Sequence, residues 1–381
     1  MKLLLFDGTA MQSTKDAVFH GGGEYAKFIF EYLIENNIDF DIIIDSKRNI
    51  DDRISNLINS EFKGQVIESS SKQEIYNAAR IENYKSFFTA HPYEYFDYSG
   101  SSRFIGVIHG LRAIELPWDK FKYHFYSNPL KRTAAYILGK LPIFIKYWRN
   151  KHITNIERIL KIPEAKFITV SNHSKYSILN IFPFLKAEQL IVNYSPFKLL
   201  KGKKVNNTIP YFLMVSGNRY EKNVWRAAKT FDKLITDGRL SNYKIIILGT
   251  GHEGLWSKLK NQESFEFRGY VSYQELGDLY ANAFAFVYPS LNEGFGYPPL
   301  YAMALGVPVI ASSSTSIPEV CADAASIFSP TSYDDLASRI LRLIDSEEYR
   351  DILITKGKKR VTELSNMQIK SVSDLITEIL S

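Results

Sequence analysis

Short aliphatic and aromatic runs alternate with longer stretches of helical period along this chain, and they do so twice. In the first half Lys2–Phe6 is followed by a helical pattern over Tyr25–Glu35, then by Asp41–Asp45, and later by Ser86–Thr89, Phe104–His109 and Phe167–Ser171. In the second half Tyr211–Val215 precedes a helical pattern over Asn223–Thr236, followed by Tyr243–Leu248, Phe265–Phe267, Phe284–Pro289 and Val307–Ala311. Parallel strands need crossovers of a dozen or more residues, and the helical stretches supply them. The pattern predicts an α/β fold with two doubly wound units, each a parallel sheet covered by helices on both faces.

At 381 residues the chain holds two to three domains of ordinary size. Its 45% hydrophobic and 23% charged residues suit a globular protein with a sizeable core. Between the halves runs Ser195-Pro-Phe-Lys-Leu-Leu-Lys-Gly-Lys-Lys-Val-Asn-Asn-Thr-Ile-Pro210, basic, punctuated by Gly, Asn and Pro, and without strand or helical period. The boundary is placed there, giving a first domain over residues 1–200 and a second over 201–366. No short internal repeat or low-complexity tract supports a solenoid or propeller.

Lys and Arg number 47 against 41 Asp and Glu, and the net charge of +6 favours anionic partners without demanding nucleic acid. Cys321 is the single cysteine, so neither an intrachain disulfide nor a Cys-based metal site forms, and a reducing compartment fits. Leu3–Phe6 is too short for a signal-peptide core and no eighteen apolar residues run together. A cytoplasmic location is expected, and the glycosylation-type triplets at Asn172, Asn193 and Asn206 are read as chance.

Over roughly residues 115–160 the alternation breaks into an insertion within the first domain. From Lys120 to Arg158 nine Lys/Arg and one acid, Glu157, are interleaved with Phe121, Tyr123, Phe125, Tyr126, Tyr136, Phe144, Tyr147 and Trp148. Pro129, Gly139 and Pro142 forbid one continuous helix there. Two readings stand: aromatics packed on the first domain, or docking to an anionic membrane surface.

In open α/β sheets ligands bind beyond the carboxyl ends of the strands, so the chemistry is sought in the strand-to-helix loops. The loop after the first strand ends in His20-Gly21-Gly22-Gly23-Glu24-Tyr25. Glycines let backbone amides approach a ligand, and a helix N-terminus favours negative charge. Phosphate binding is the natural reading, against a flexible turn. After Tyr211–Val215, the run Ser216-Gly217-Asn218-Arg219-Tyr220-Glu221-Lys222-Asn223 sets Arg219 and Lys222 near a helix start, where the dipole disfavours cations unless an anion is bound. A diphosphate clamp follows, with solvated cations partnered by Glu221 as the alternative. Phe284–Pro289 leads into Ser290-Leu-Asn-Glu293-Gly294-Phe295-Gly296-Tyr-Pro-Pro299. Gly294 and Gly296 free amides to face a ligand, and Glu293 puts one carboxylate among them.

Other chemistries have less support. Gly249-Thr-Gly251-His-Glu-Gly254 matches the dinucleotide fingerprint, but the next strand ends in Arg268-Gly269-Tyr270 without an acid to hold a ribose, which disfavours a nicotinamide enzyme. His20, His91, His109, His124, His152, His173 and His252 show no metal-ligand spacing, and Asp39-Phe-Asp41 precedes a strand instead of following one. There is no G-x-S-x-G elbow and no RNA-recognition signature.

The second half resembles the retaining nucleotide-sugar glycosyltransferases of family 4 from about Tyr211 to Leu343. The resemblance is carried by Gly217–Asn223, Ile247–Gly251, Phe267–Val271 and, most specifically, Pro289–Ala304 with Gly306–Ile310. The first half is similar more loosely, at Gly21–Gly23, Ile108–Arg112 and Val170-Ser171. The resemblance implies a GT-B architecture, two Rossmann-like domains facing across a cleft, with the nucleotide sugar held mainly by the second and the acceptor by the first. A final helical segment, roughly Gln368–Leu380, would cross back to the first domain as residues 367–381. By the same resemblance Arg219 and Lys222 bind the diphosphate, with Gly22 and Gly23 as backbone donors opposite. Gly294, Phe295 and Gly296 line the sugar and phosphate, Glu293 binds donor-sugar hydroxyls, and His109 stands near the donor sugar. Gly217, Tyr270 and Val271 lie on the nucleoside side.

The family carries a second glutamate separated by seven residues from the first, and here that position is Tyr301. A phenol bonds without charge at neutral pH, so altered ribose recognition is expected, while charge-assisted bonds to the diphosphate preserve donor binding. No metal and no cofactor is implied, because the cationic clamp stabilises the departing diphosphate. The expected activity is transfer of a hexosyl group, with retention, from a UDP- or GDP-type sugar to a glycan or lipid-linked oligosaccharide in bacterial surface polysaccharide synthesis, at the inner face of the cell membrane. The alternative is a catalytically silent, transferase-like binding subunit. Tyr301 motivates it; the presence of Arg219, Lys222, Glu293 and His109 argues against it.

Overall fold

The computed structural model describes residues 3–13, 21–81, 84–205, 209–251 and 253–380. His20, His252 and the triplet at Asn206 lie outside the described residues. The chain divides into two compact units, one comprising Met1–Leu111, Lys151–Phe197 and Asn366–Ser381, the other Arg112–Asn150 and Lys198–Ser365.

The first unit is built on seven parallel strands: β1 (Leu4–Asp7), β2 (Asp41–Asp45), β3 (Val66–Ser69), β4 (Ser86–Thr89), β5 (Arg103–Ile108), β6 (Lys166–Thr169) and β7 (Leu190–Val192). Their order is β3-β2-β1-β4-β5-β6-β7. Phe6 of β1 stands in register between Ile42 and Phe88. Central strands such as β1 and β4 are buried along their whole length, which is why their centres, Leu4–Phe6 and Phe87-Phe88, show adjacent apolar residues instead of alternation. The helix Gly21–Glu35 turns Ala26, Ile29, Phe30 and Leu33 inward at helical spacing, and Phe30 reaches Phe6 at 5.9 Å between ring centroids. It begins at Gly21, four residues ahead of the expected onset at Tyr25.

Two acidic or amide features of the sequence turn out to be structural. Asp41 is buried and accepts from the Gln65 amide at 2.8 Å and the Tyr84 hydroxyl at 2.6 Å. Asn193, the middle triplet, is buried between the Tyr25 hydroxyl at 2.7 Å and Ser371 at 2.6 Å. The expected terminal segment Gln368–Leu380 is the end of a longer helix, Glu347–Leu380. Its last turns belong to the first unit, where Glu378 pairs with Arg103 and the Leu380 carbonyl accepts from Lys85.

The second unit contains six parallel strands: β8 (Tyr211–Met214), β9 (Lys244–Leu248), β10 (Phe265–Arg268), β11 (Ala285–Tyr288), β12 (Val309–Ser312) and β13 (Ala325–Phe328), ordered β10-β9-β8-β11-β12-β13. The helix Val224–Thr236 packs Val224, Ala227, Ala228, Phe231 and Leu234 against this sheet, with Phe231 at 5.0 Å from Phe212. A fully buried phenylalanine of this kind contributes about 1.5–3 kcal/mol.

The insertion corrects the expectation that its aromatics pack on the first domain. Residues Arg112–Asn150 group with the second unit, and Phe121 and Phe125 lie against that unit's core. A buried ion pair fixes the attachment: Arg226 on the helix Val224–Thr236 meets Asp119 at 2.6 Å and lies 4.6 Å over the Phe121 ring. Beyond this anchor the chain forms the helices Pro129–Leu138 and Pro142–Leu160, broken where the sequence predicts. Gly139 caps the first of them, and a Cβ there would meet the Trp118 ring at 2.0 Å.

Candidate active site

The strand order of the second sheet reverses between neighbours β8 and β11, and ligand sites of such sheets form at the carboxyl ends of the strands flanking that point. Two loops leave from there, residues 215–223 after β8 and 289–296 after β11.

The first loop is held against its neighbour. The Gly217 amide donates to the Leu248 carbonyl at 2.9 Å and the Asn218 amide to Gly249 at 2.8 Å. A Cβ at Gly217 would meet Ile247 Cγ2 at 2.9 Å and Thr250 Cγ2 at 3.0 Å, so a larger residue would force those side chains to shift. A single 3-10 turn, Tyr220–Lys222, then ends at Asn223 in the left-handed region at φ 59°. Asparagine tolerates that conformation better than most residues. Its side-chain amide donates to the carbonyls of Pro289 at 2.9 Å and Pro330 at 2.7 Å, tying together the loops after β8, β11 and β13.

This turn delivers a charged cluster. Glu221 Oε1 accepts from Arg219 Nε at 2.8 Å and from Arg112 Nη1 at 2.7 Å. Lys222 Nζ donates to Glu293 Oε1 at 2.6 Å and to the Tyr288 hydroxyl at 3.2 Å, and Ser290 Oγ lies 2.5 Å from the same carboxylate oxygen. The Lys222 and Glu293 side chains are only 11% and 13% exposed. Each of the two cations has a carboxylate partner: Arg219 pairs with Glu221, the partner the sequence offered, and Lys222 with Glu293, which it did not. Lys122, from the insertion, adds a further ammonium 5.0 Å over the Tyr220 ring. With Glu115, which accepts from Asn292 of the second loop, four cations stand with three carboxylates, a small excess of positive charge suited to an anion. Arg219 and Arg112 are partly exposed, and a guanidinium offers five N–H groups, more than Glu221 occupies.

Burial dominates the titration of these groups, and their pairing opposes it. Burial pushes the Glu293 carboxyl up, but the Lys222 charge and the hydrogen bonds of Lys222, Ser290 and Tyr288 carry it below the ordinary range. Glu221 is likewise pushed up by burial and brought below its usual value by Arg112 and Arg219. Lys222 is lowered by burial, with Glu293 offsetting only part of it. Arg219 is lowered by burial and raised overall by Glu221 and Glu293.

The second loop is braced from the loop after β12. The Glu293 amide donates to Thr315 Oγ1 at 2.8 Å, and Ser316 Oγ lies 3.0 Å and 2.8 Å from the carbonyls of Glu293 and Phe295. Gly296 adopts φ 113°, a conformation open essentially to glycine, and starts the helix Tyr297–Ala304. Gly294 lies between the braced residues, and the Phe295 ring is buried at 5.5 Å from Tyr297. Asn292 donates to Glu115 of the insertion at 2.6 Å.

The structure thus brings Arg219, Lys222, Glu293, Gly294, Phe295 and Gly296 to one end of the second sheet, with Gly217 at the base of the first loop. Tyr301 sits on the helix Tyr297–Ala304 with its ring edge-on to Tyr280 at 6.1 Å. Tyr270, exposed, and Val271, partly so, follow the edge strand β10, two strands out from β8. In the first unit His109 follows β5, its amide donating to the Tyr93 hydroxyl at 2.9 Å and its Nε2 lying 2.9 Å from the Ala90 carbonyl. A carbonyl only accepts, so Nε2 carries the proton. Gly22 and Gly23 occupy the first turn of the helix Gly21–Glu35, where helices offer amides to anions.

Sequence reading missed Arg112, Glu115, Lys122, Asn292, Thr315 and Ser316 as site residues and weighed Glu221 only as a partner. The run Ser312-Ser-Ser-Thr-Ser316 follows a strand and offered a readable signal. Arg112 closes the Ile108–Arg112 stretch that carries the resemblance, whereas Lys122 offered no signal, since it reaches Tyr220 only through tertiary packing. The dinucleotide fingerprint is followed by a helix of one turn, Glu253–Trp256, which gives little of the long helix such sites use. Among the described residues, no group of three or more His, Cys, Asp or Glu is placed to hold a metal ion, and no helix is long and apolar enough to cross a membrane.

Residues 198–360 match the family described as Glycosyl transferases group 1. The chain is similar to the O-antigen chain mannosyltransferase B of Escherichia coli, 34% identical over 274 residues that cover 65% of this chain and 71% of the relative. Its fold is similar to that of sucrose-phosphate synthase from Thermosynechococcus elongatus, with a TM-score of 0.71 at 14% identity over 100% of this chain and 98% of that one. It is also similar to HepE from Anabaena, solved with UDP and glucose, with a TM-score of 0.70 at 12% identity over 99% and 100% of the two chains. These likenesses show the GT-B fold, two parallel-sheet Rossmann-like domains.

Proposed function

Because the chain belongs to the group 1 glycosyl transferases, we propose that it moves a hexosyl group, mannosyl on the pattern of its E. coli relative, from a nucleoside diphosphate sugar to a hydroxyl of a glycan or lipid-linked acceptor in polysaccharide synthesis, with retention of anomeric configuration. The observation that carries this reading is the pairing of Lys222 with Glu293 beside Arg219 at the carboxyl ends of β8 and β11.

In this reading the diphosphate lies against Arg219 and Lys222. The bond between the sugar C1 and the diphosphate oxygen breaks, its electron pair goes to that oxygen, and the cations lower the cost of the developing charge by several kcal/mol. Glu293 accepts from donor-sugar hydroxyls, and the amides around Gly294, Phe295 and Gly296 face sugar and phosphate. The acceptor oxygen forms the new C1–O bond on the face the leaving group vacates, and its proton passes to the diphosphate oxygen. Gly217, Tyr270, Val271 and Tyr301 are assigned to the nucleoside. The contribution of the first unit, through His109 and the Gly22 and Gly23 amides, is part of the same proposal and rests on the resemblance of those motifs. The arginines and lysines supply the positive charge, so neither a metal nor a cofactor is required.

The test is incubation of the purified chain with a mannose-terminated oligosaccharide on a lipid-like aglycone as acceptor and a panel of UDP- and GDP-sugars, GDP-mannose included, with and without EDTA. Expected are release of one nucleoside diphosphate, a product whose anomeric proton shows the donor's configuration, and a rate unaffected by EDTA. An inverted product would refute retention, and loss of rate in EDTA would refute metal independence. Donor binding without turnover or hydrolysis would mark the chain as a silent binding subunit.

A further inference from the structure

Apolar side chains on a protein surface are usually scattered, and contiguous groups of them mark interaction sites. Here they are concentrated. Of the nineteen large hydrophobic residues exposed among the described residues, seven fall between Leu130 and Trp148 in the insertion. Leu130 is 82% exposed and Ile137, two turns on along the same helix face, 53%. Ile143, 85% exposed, and Tyr147, 64% exposed, lie one turn apart on the next helix.

The charge on this surface has one sign. From Lys120 to Ile156 the chain holds no Asp or Glu, and Lys131, Arg132, Lys140 and Lys146 are all exposed beside the apolar residues. The Lys140 ammonium lies 4.0 Å over the Tyr136 ring, and such stems cover apolar surface while their heads stay at the polar boundary. The Arg226–Asp119 pair and the packed Phe121 hold the base of this element to the second unit.

We propose that the two consecutive helices Pro129–Leu138 and the start of Pro142–Leu160 dock on an anionic lipid bilayer. Exposed leucine and isoleucine enter the acyl boundary, Tyr136, Tyr147 and Trp148 take the headgroup level, and the cations meet lipid phosphates. A second copy of this chain is disfavoured as the occupant, because two faces of the same sign repel. The proposal does not depend on the reaction catalysed, and its test reads vesicle binding, not turnover.

The experiment is flotation of the full chain with vesicles of phosphatidylglycerol and phosphatidylethanolamine, against vesicles of phosphatidylcholine alone, at low and high salt. Binding to the anionic vesicles is expected to be at least about tenfold tighter and to fall as salt rises. Lys131→Gln and Lys146→Gln should each weaken it roughly fivefold, the equivalent of one surface cation. Leu130→Ser with Ile143→Ser should weaken it by about tenfold or more, with an unchanged circular dichroism spectrum, since exposed substitutions seldom unfold a protein. Absence of binding at low salt, equal binding to both vesicle types, or variants that float like the unaltered chain would overturn the proposal. So would concentration-dependent dimerisation that Leu130→Ser with Ile143→Ser abolishes.

Discussion

Replacing Lys222 by methionine removes a charge and little volume. Glu293 is then left a carboxylate at 13% exposure without the ammonium that stood 2.6 Å away. Breaking a buried pair from one side costs about 3–5 kcal/mol. The Ser290 hydroxyl stays beside Glu293, which puts the expected loss near the lower end, about 3 kcal/mol. Glu293→Gln creates the reciprocal defect, an ammonium facing an amide, at a similar cost. The double replacement strands no charge, so its loss should fall about 2–3 kcal/mol short of the sum of the two. Turnover behaves differently. If Lys222 meets the leaving diphosphate, Lys222→Met costs about a hundredfold to a thousandfold in kcat/KM whether or not Glu293 is also replaced. Urea unfolding followed by circular dichroism reads the first quantity and initial rates read the second. Additive stability losses would show that the two residues are not a functional pair, and recovery of turnover in the double variant would show that Lys222 serves only to neutralise Glu293.

Three further outcomes are expected. Glu221 and Glu293 both titrate below the ordinary carboxylate range in the folded protein, despite the upward push of burial, because Arg112 and Arg219 act on the first and Lys222 on the second. A depressed folded value contributes stability that is fully present above the unfolded value of about 4.3 and is lost as pH falls through the folded one. The urea midpoint should therefore owe no decline to these groups between pH 7 and about 5, and the fall below about pH 4 should be shallower in Glu221→Gln; an equal fall in that variant would contradict the assignment. Gly217→Ala, whose new methyl would press on Ile247 and Thr250, should lose about 1–3 kcal/mol in the same assay, and a neutral result would mean the loop yields freely. Tyr301→Phe keeps the ring beside Tyr280 and deletes the hydroxyl, so donor KM should rise roughly two- to tenfold with kcat unchanged; an unchanged KM would remove Tyr301 from the nucleoside site.

The central strands were legible because burial on both faces leaves an uninterrupted apolar run, as in Tyr211–Met214 and Ala285–Tyr288. Of the four edge strands, β10 was legible as well, but β3, β7 and β13 were not. Val66–Ser69 is largely exposed, and Ala325–Phe328 is short and rich in small residues. The helix onset at Gly21 was missed because glycine has poor intrinsic helix propensity, and packing of the apolar face overrides it. In the site, Arg219, Lys222 and Glu293 could be read from loops that follow strands. Their carboxylate pairing could be read only in part, since Glu221 is a near neighbour of Arg219 but Lys222 and Glu293 are 71 residues apart. The docking of the insertion was misread for the same reason. Asp119 and Arg226 are 107 residues apart, and nothing local in either segment announces the other.

Calorimetric titration of the purified chain with UDP and with GDP tests the central claim most directly. One of the two should bind with one-to-one stoichiometry, and its affinity should drop by about tenfold or more in Arg219→Ala and again in Lys222→Met, because each removes a charge-assisted contact to the diphosphate. Undiminished affinity in both variants would contradict the account.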